Sequence, residues 1–188
     1  IEPYTDKEVK SVLKNLLNDA TFTQFVKNNL NTSTSKFLSI PGSSFLVMQL
    51  FKSKIKNINS IDQFQDQVKI VLKNIVKQTI NNFETSGLES LDKSKPYLFI
   101  GNHRDITLDS ALCNFSLDSV GLETTFNAIG DNLVSIGWME DLLRLNKSFV
   151  ISRSGDSKKE IYTNLLKASE FIKEKLQHNI KLLENQIV

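Results

Sequence analysis

Cysteine is nearly absent from this 188-residue chain. Cys113 stands alone, which excludes an internal disulfide framework. Histidine occurs only at His103 and His178, and no cluster of His, Cys, Asp and Glu has metal-ligand spacing, so no metal site is expected. A surplus of one charge sign is also lacking. The 23 Lys and Arg against 21 Asp and Glu leave a net charge of +2. That is too little to point to nucleic acid, although lysine-rich faces can still meet an anionic membrane. No apolar run approaches a bilayer span and no signal-peptide pattern opens the chain. The expected location is therefore cytoplasmic, with a peripheral place on the inner face of a membrane as its variant. Internal repeats and low-complexity tracts are missing as well. What is present is ordinary for a folded core, 40% hydrophobic and 23% charged residues, at a length that suits one domain with a helical extension.

Residues 1–84 read as a helical region. Thr5-Asp6-Lys7-Glu8 is a capping box, followed by Val9, Val12, Leu13, Leu16 and Leu17 at helical spacing. Thr21-Phe22-Thr23-Gln24 reads as a second box, ahead of Phe25, Val26 and Leu30, and a loop of Asn, Thr and Ser then runs to about Gly42. A dense apolar stretch spans Phe45 to Phe51. Ser60-Ile61-Asp62-Gln63 opens the longest helix of this region. It has Ile61, Phe64, Val68, Val71, Ile75 and Val76 on one side, with Lys69, Lys73 and Lys77 elsewhere. Such a stripe is expected in the core, with the lysines solvated. A surface meeting acyl chains or a bilayer is the functional alternative.

From about residue 83 the pattern turns to strand–helix alternation, the mark of an α/β sheet over 85–188. Strands are expected at Phe83–Leu88, Tyr97–Ile100, Thr124–Ile129, Phe149–Ser152 and Gln186–Val188. Helices are expected at Ile106–Leu117, Ile136–Leu145 and Lys158–His178, the last opened by the box Ser157-Lys158-Lys159-Glu160. Cys113 and Trp138 read as core residues and His178 as surface.

Chemistry is concentrated where Tyr97-Leu98-Phe99-Ile100, an apolar run expected to be a buried strand, ends at Gly101-Asn102-His103-Arg104-Asp105-Ile106-Thr107-Leu108-Asp109. A histidine there is exposed enough to react and rigid enough to be aimed. A carboxylate on one imidazole nitrogen fixes the tautomer and leaves the other nitrogen as a base, and Asp105 and Asp109 both lie within reach. Imidazole titrates near ~6.5, the range a general base needs. No Ser or Cys nucleophile motif accompanies the pair, so the hydroxyl to be activated belongs to the substrate.

The segment resembles the His-box of the glycerolipid acyltransferases, which act on glycerol-3-phosphate and lysophosphatidate. In that family a strand ends in Asn-His and an Asp follows. A second stretch is similar to the family's next block: Ile129-Gly130-Asp131-Asn132-Leu133, then Arg144-Leu145-Asn146-Lys147-Ser148-Phe149-Val150-Ile151-Ser152-Arg153. The resemblance implies a helical N-terminal region followed by an α/β domain with a mixed central sheet. It departs from the family in two places. Five residues separate His103 from Asp109 where the family has four. Asp109 is preferred as the partner, Asp105 being the alternative acid and the better helix N-cap. The family's third block, an acid-Gly turn, is not found before Val188, so a domain incomplete at its C-terminus is expected.

By this resemblance the chain is an O-acyltransferase of phospholipid biosynthesis. His103 takes the proton from a glycerol hydroxyl, which attacks the thioester of acyl-CoA or acyl-carrier protein. Asp109 orients the histidine. Arg153 binds the acceptor's phosphate, with Lys147 and Arg104 as further phosphate candidates. The implied partners are the thioester co-substrate, a phosphorylated glycerol or lysophospholipid, and a membrane surface, with no cofactor and no nucleic acid. Two other classes remain open. A metal-dependent phosphoesterase also uses Asn-His corners but needs further His and Asp ligands than this chain offers. A non-catalytic lipid-binding module needs none.

Overall fold

Glu8 sets the first helix. Its carboxylate accepts the Thr5 N–H and the Thr5 hydroxyl, both at 2.8 Å, the capping box expected there. The structure, a computed structural model, describes residues 2–33, 43–102, 105, 108–134, 137–152, 155–178 and 182–186. Helix α1 (Asp6–Asn18) buries Val9, Val12, Leu13, Leu16 and Leu17. Helix α2 (Ala20–Ser33) starts earlier than expected. The Phe22 N–H is bonded at 2.8 Å to Asp19, which also accepts the Thr21 hydroxyl at 2.6 Å, so the cap is Asp19 and Thr21 lies inside the helix. Helices α3 (Ser43–Lys56) and α4 (Ile61–Thr79) complete the region. Ser60 caps α4 through the Gln63 N–H, and Gln63 returns the bond to the Asn59 N–H at 2.7 Å.

The α/β part runs β1 (Leu98–Asn102), α5 (Leu108–Ser119), β2 (Phe126–Gly130), α6 (Gly137–Leu145), β3 (Ser148–Ile151), α7 (Lys158–Gln177) and β4 (Leu182–Gln186). The sheet order is β1-β4-β2-β3. Leu98 pairs with Leu182, Phe126 with Leu182, and Gly130 with Ile151. All four described strands are parallel, so the mixed character expected of the sheet is not seen among them. The expected strand at Phe83–Leu88 is absent. That stretch pairs with no strand among the described residues, leads through left-handed Gly87 into a 3₁₀ turn at Leu88–Ser90, and lays the Phe83 ring on Phe115 of α5 at 5.8 Å. The last strand begins at Leu182 rather than Gln186 and lies inside the sheet.

Connections set the layers. β1–α5–β2 and β2–α6–β3 advance across the sheet, whereas β3–α7–β4 steps back, so right-handed crossovers put α7 on the opposite face from α5 and α6. On the α7 face, Phe149, Ile151 and Leu182 meet Ala168, Phe171, Ile172 and Leu176. On the α6 side, Trp138 and Leu145 join Val9, Leu13, Leu16, Phe22 and Phe64 in one cluster. The helical region and the α/β region therefore share a core. Trp138 is buried in it, with the Phe22 and Phe25 rings at 5.6 and 4.9 Å. Among the described strands β1 pairs with β4 alone, and Leu98 and Ile100 are exposed where the apolar run suggested a buried strand.

Candidate active site

Parallel strands bring their C-terminal ends to one edge of the sheet, the usual place for a site in such folds. Here that edge holds Asn102 at the end of β1, Gly130-Asp131-Asn132 at the end of β2, and Ser152 after β3. Helix α5 starts from the same edge. His103, Arg104 and Arg153 lie outside the described residues. The described residues next to them in sequence are Asn102, Asp105 and Ser152.

Both acids of the first block brace the start of α5. Asp105 accepts the Leu108 N–H at 2.7 Å, the bond an N-cap makes, and Asp109 accepts the Asp105 N–H at 2.9 Å. Asp105 thus has the capping place expected for it. Asp109 sits on the first turn, half-buried. The body of the helix is then pinned to β2 by a polar cluster. Asn114 Oδ1 accepts the Thr125 N–H at 2.6 Å, and Asn114 donates to Asn127 at 3.2 Å. The Thr125 hydroxyl, fully buried, lies 2.9 Å from Asn127 Oδ1. Buried polar groups need such partners. The effect is to fix α5, whose first turn carries Asp109, relative to the strand that ends just before Asp131.

The second block closes the edge. Ser152 donates from its hydroxyl to Asp131 at 2.9 Å, joining the end of β3 to the end of β2. A Cβ at Gly130 would stand 2.5 Å from the Asn132 side-chain oxygen, so any larger residue there would turn the Asn132 side chain away. The turn Asp131–Val134 that follows is a single 3₁₀ turn.

Lys147 is not part of this edge. It precedes β3, while Ser152 follows it, so the two are at opposite ends of the strand. Its ammonium donates to the Thr124 hydroxyl at 3.1 Å, with the Asp62 carboxylate at 4.0 Å. Burial holds its pKa below the ordinary lysine value, an effect only partly offset by Asp62, Glu123 and Asp6. Its φ of 58° is left-handed, a strained conformation for lysine. It lines a cavity of about 360 Å³ between α4 and α5, with Gln65, Asn114 and Phe115. Lys147 therefore lies at the opposite end of β3 from Ser152, with a four-residue strand of about 13 Å between them.

The polar cluster, the Asp131–Ser152 bond and the true place of Lys147 all depend on strand pairing, and sequence spacing alone did not find them. Cys113 is partly buried, and desolvation raises its thiol pKa. His178 is exposed, its Nδ1 2.8 Å from the Glu174 carbonyl oxygen. Among the described residues no group of three or more His, Cys, Asp or Glu converges as a metal ion would require. No helix among them is long and apolar enough to cross a membrane.

A family model described as Acyltransferase matches residues 82–180, just over half of the chain. The match begins after α4 and runs through β1, α5, β2, α6, β3 and α7. No curated protein matches the chain.

Proposed function

The chain belongs to the acyltransferase family, and on that premise we propose that it moves a fatty acyl group from acyl-CoA or acyl-carrier protein to a hydroxyl of glycerol-3-phosphate or lysophosphatidate. One observation carries the proposal. β1 and β3, the strands that precede His103 and Arg153 in sequence, end at the same edge of one parallel sheet, with Asp109 on the first turn of the helix that follows β1.

In this mechanism His103 accepts the proton of the acceptor hydroxyl as the oxygen attacks the thioester carbonyl. The carbon–sulfur bond breaks, the thiolate leaves, and the imidazolium returns the proton to it. Asp109 orients the imidazole and stabilises its charged form. Arg153 binds the acceptor's phosphate with its paired donors, and Arg104 is a second candidate for that anion. Asp105 keeps its capping role. A lysophosphatidate acceptor would be met at a membrane surface, which makes the enzyme peripheral on the cytoplasmic face.

The test is thiol release and acylated product formation by the purified chain with acyl-CoA and each acceptor, before and after His103→Ala. The variant is expected to lose at least about 10²-fold in rate, the range a general base contributes. Arg153→Ala is expected to raise the acceptor KM with little change in donor binding. Equal turnover by the His103→Ala chain would refute the mechanism, and lipid binding without turnover in any form would leave a non-catalytic module.

A further inference from the structure

Lys147 puts a desolvated charge on the wall of the cavity between α4 and α5. Its side chain is 17% exposed. Its carbonyl oxygen accepts the Asn127 N–H at 3.0 Å, which clamps the turn to β2. Among the described residues it is the one non-glycine with a positive φ. Strain of that kind persists where the surrounding structure enforces it, and it gathers at binding sites. A hydrogen-bonded chain runs along the wall. Lys147 donates to the Thr124 hydroxyl at 3.1 Å, Thr124 to Gln65 at 2.7 Å, and Gln65 to Asn146 at 3.4 Å. The chain holds the ammonium in place but takes only one of its three N–H groups. Asp62, 89% exposed, stands at 4.0 Å, beyond hydrogen-bond range. The Phe126 ring is 5.9 Å away.

Charge around the opening has the other sign. Asp62, Asp66 and Glu123 line the cavity and are exposed, whereas Lys69 and Asp118 neutralise each other at 2.6 Å. A phosphate or a fatty-acid anion would reach Lys147 only past three carboxylates. A ligand with both signs meets no such barrier, and laid across the loose Lys147–Asp62 pair it matches each end with its opposite. Val68, Leu72 and Phe115 complete the lining with apolar surface. The volume, about 360 Å³, is that of a small-molecule pocket.

We propose that this cavity binds a small zwitterion, an α-amino acid with an aliphatic or aromatic side chain. Its carboxylate takes the remaining donors of Lys147, its ammonium faces Asp62 and Glu123, and its side chain lies on Leu72 and Phe115. A bound carboxylate also offsets the desolvation that lowers the Lys147 pKa. The site stands at the opposite end of β3 from Ser152 and does not depend on the acyl transfer proposed above.

Calorimetric titration of the whole chain with three probes of one carbon skeleton tests the proposal. They are L-leucine, isocaproate, which lacks the ammonium, and isoamylamine, which lacks the carboxylate. Leucine is expected to bind best. Isoamylamine should be at least about tenfold weaker, having lost a charge-assisted bond to a desolvated lysine. Isocaproate should be about two- to fivefold weaker, because its missing partner faces solvated carboxylates. K147M is expected to weaken leucine at least about tenfold. D62N/E123Q is expected to bring leucine down to the level of isocaproate. A111L fills the cavity without touching a charge and is expected to abolish binding, so the outcome does not rest on the strained turn alone. Thermal unfolding confirms that each variant is folded. No heat with leucine, equal affinity for the three probes, or leucine binding that survives both K147M and A111L overturns the proposal. So does displacement of leucine by inorganic phosphate, which would make Lys147 a plain anion site.

Discussion

Replacing each acid at the start of α5 by its amide separates helix capping from chemistry. Asp105 and Asp109 both accept backbone N–H groups, at 2.7 and 2.9 Å. Asparagine keeps an acceptor oxygen at either place and caps as well as aspartate, so those bonds survive in Asp105→Asn and Asp109→Asn. Each variant loses one negative charge near a helix N-terminus, worth about 0.3–1 kcal/mol. For a chain of this size that is a fall in Tm of roughly 1–4 °C. The two variants are thus expected to match in thermal unfolding. Their rates should diverge. An amide in the orienting place favours the wrong imidazole tautomer, and Asp109→Asn is expected to lose about 10²–10⁴-fold in kcat. Asp105→Asn should stay within a few-fold of the parent. Asp105→Ala, which removes the cap, is expected to cost about 1 kcal/mol in stability and far less in rate than Asp109→Asn. The assays are calorimetric or circular-dichroism melting and thiol release from acyl-CoA. A larger loss of rate in Asp105→Asn than in Asp109→Asn would refute the assignment and make the shorter spacing the working one.

Trp138→Ala is expected to destabilise the chain by about 3–5 kcal/mol, because it removes the buried ring that joins α6 to α2; chemical denaturation measures it. Ser152→Ala is expected to raise the acceptor KM more than it lowers kcat, since Ser152 ties the strand end ahead of Arg153 to Asp131, and an unchanged KM in steady-state kinetics would remove that bond from the site. Lys147 gives a pH signature. Its pKa is depressed in the folded state, so in the window between that value and the ordinary lysine value the unfolded chain binds more protons, and stability rises with pH. Tyr4 works the other way, its pKa raised to about 12 by burial and by its bond to Asp141, so its contribution falls as pH climbs from 10 towards 12. Denaturant titrations of parent and Lys147→Met, compared across the alkaline range, are expected to show the first slope lost and the second retained.

Much of the helical architecture was legible because period and caps agree. Thr5, Ser60 and Ser157 all cap as their boxes imply. Asp19 was missed at α2 although it stands three residues before Phe22, because the Thr-x-x-Gln pattern two residues later is the more familiar signal. Strands were harder, since pairing decides them. Phe83 to Leu88 reads as a strand but pairs with none of the described strands, and the Phe83 ring packs on a helix instead. β4 carries Glu184-Asn185-Gln186, a polar run without the apolar signal of a buried strand, yet it lies between β1 and β2. The site was legible as two motifs in order. Spacing does not announce that β3 lies between Lys147 and Ser152, nor that Asn114, Thr125 and Asn127 meet in one cluster.

The interior position of β4 carries a consequence for how the chain folds. Helices α1 to α4 and the β2–α6–β3 unit are built from neighbours in sequence and can form early. β1 has no partner among the described strands except β4, and the pair Leu98–Leu182 joins residues 84 apart in the chain. Loop closure of that length is paid before any strand contact rewards it. On the ribosome, β1 leaves the exit tunnel long before β4 is made, with its edge unpaired in the interval. The corner that carries Asn102 therefore receives its strand partner late, and that edge of the sheet matures only when β4 slides between β1 and β2.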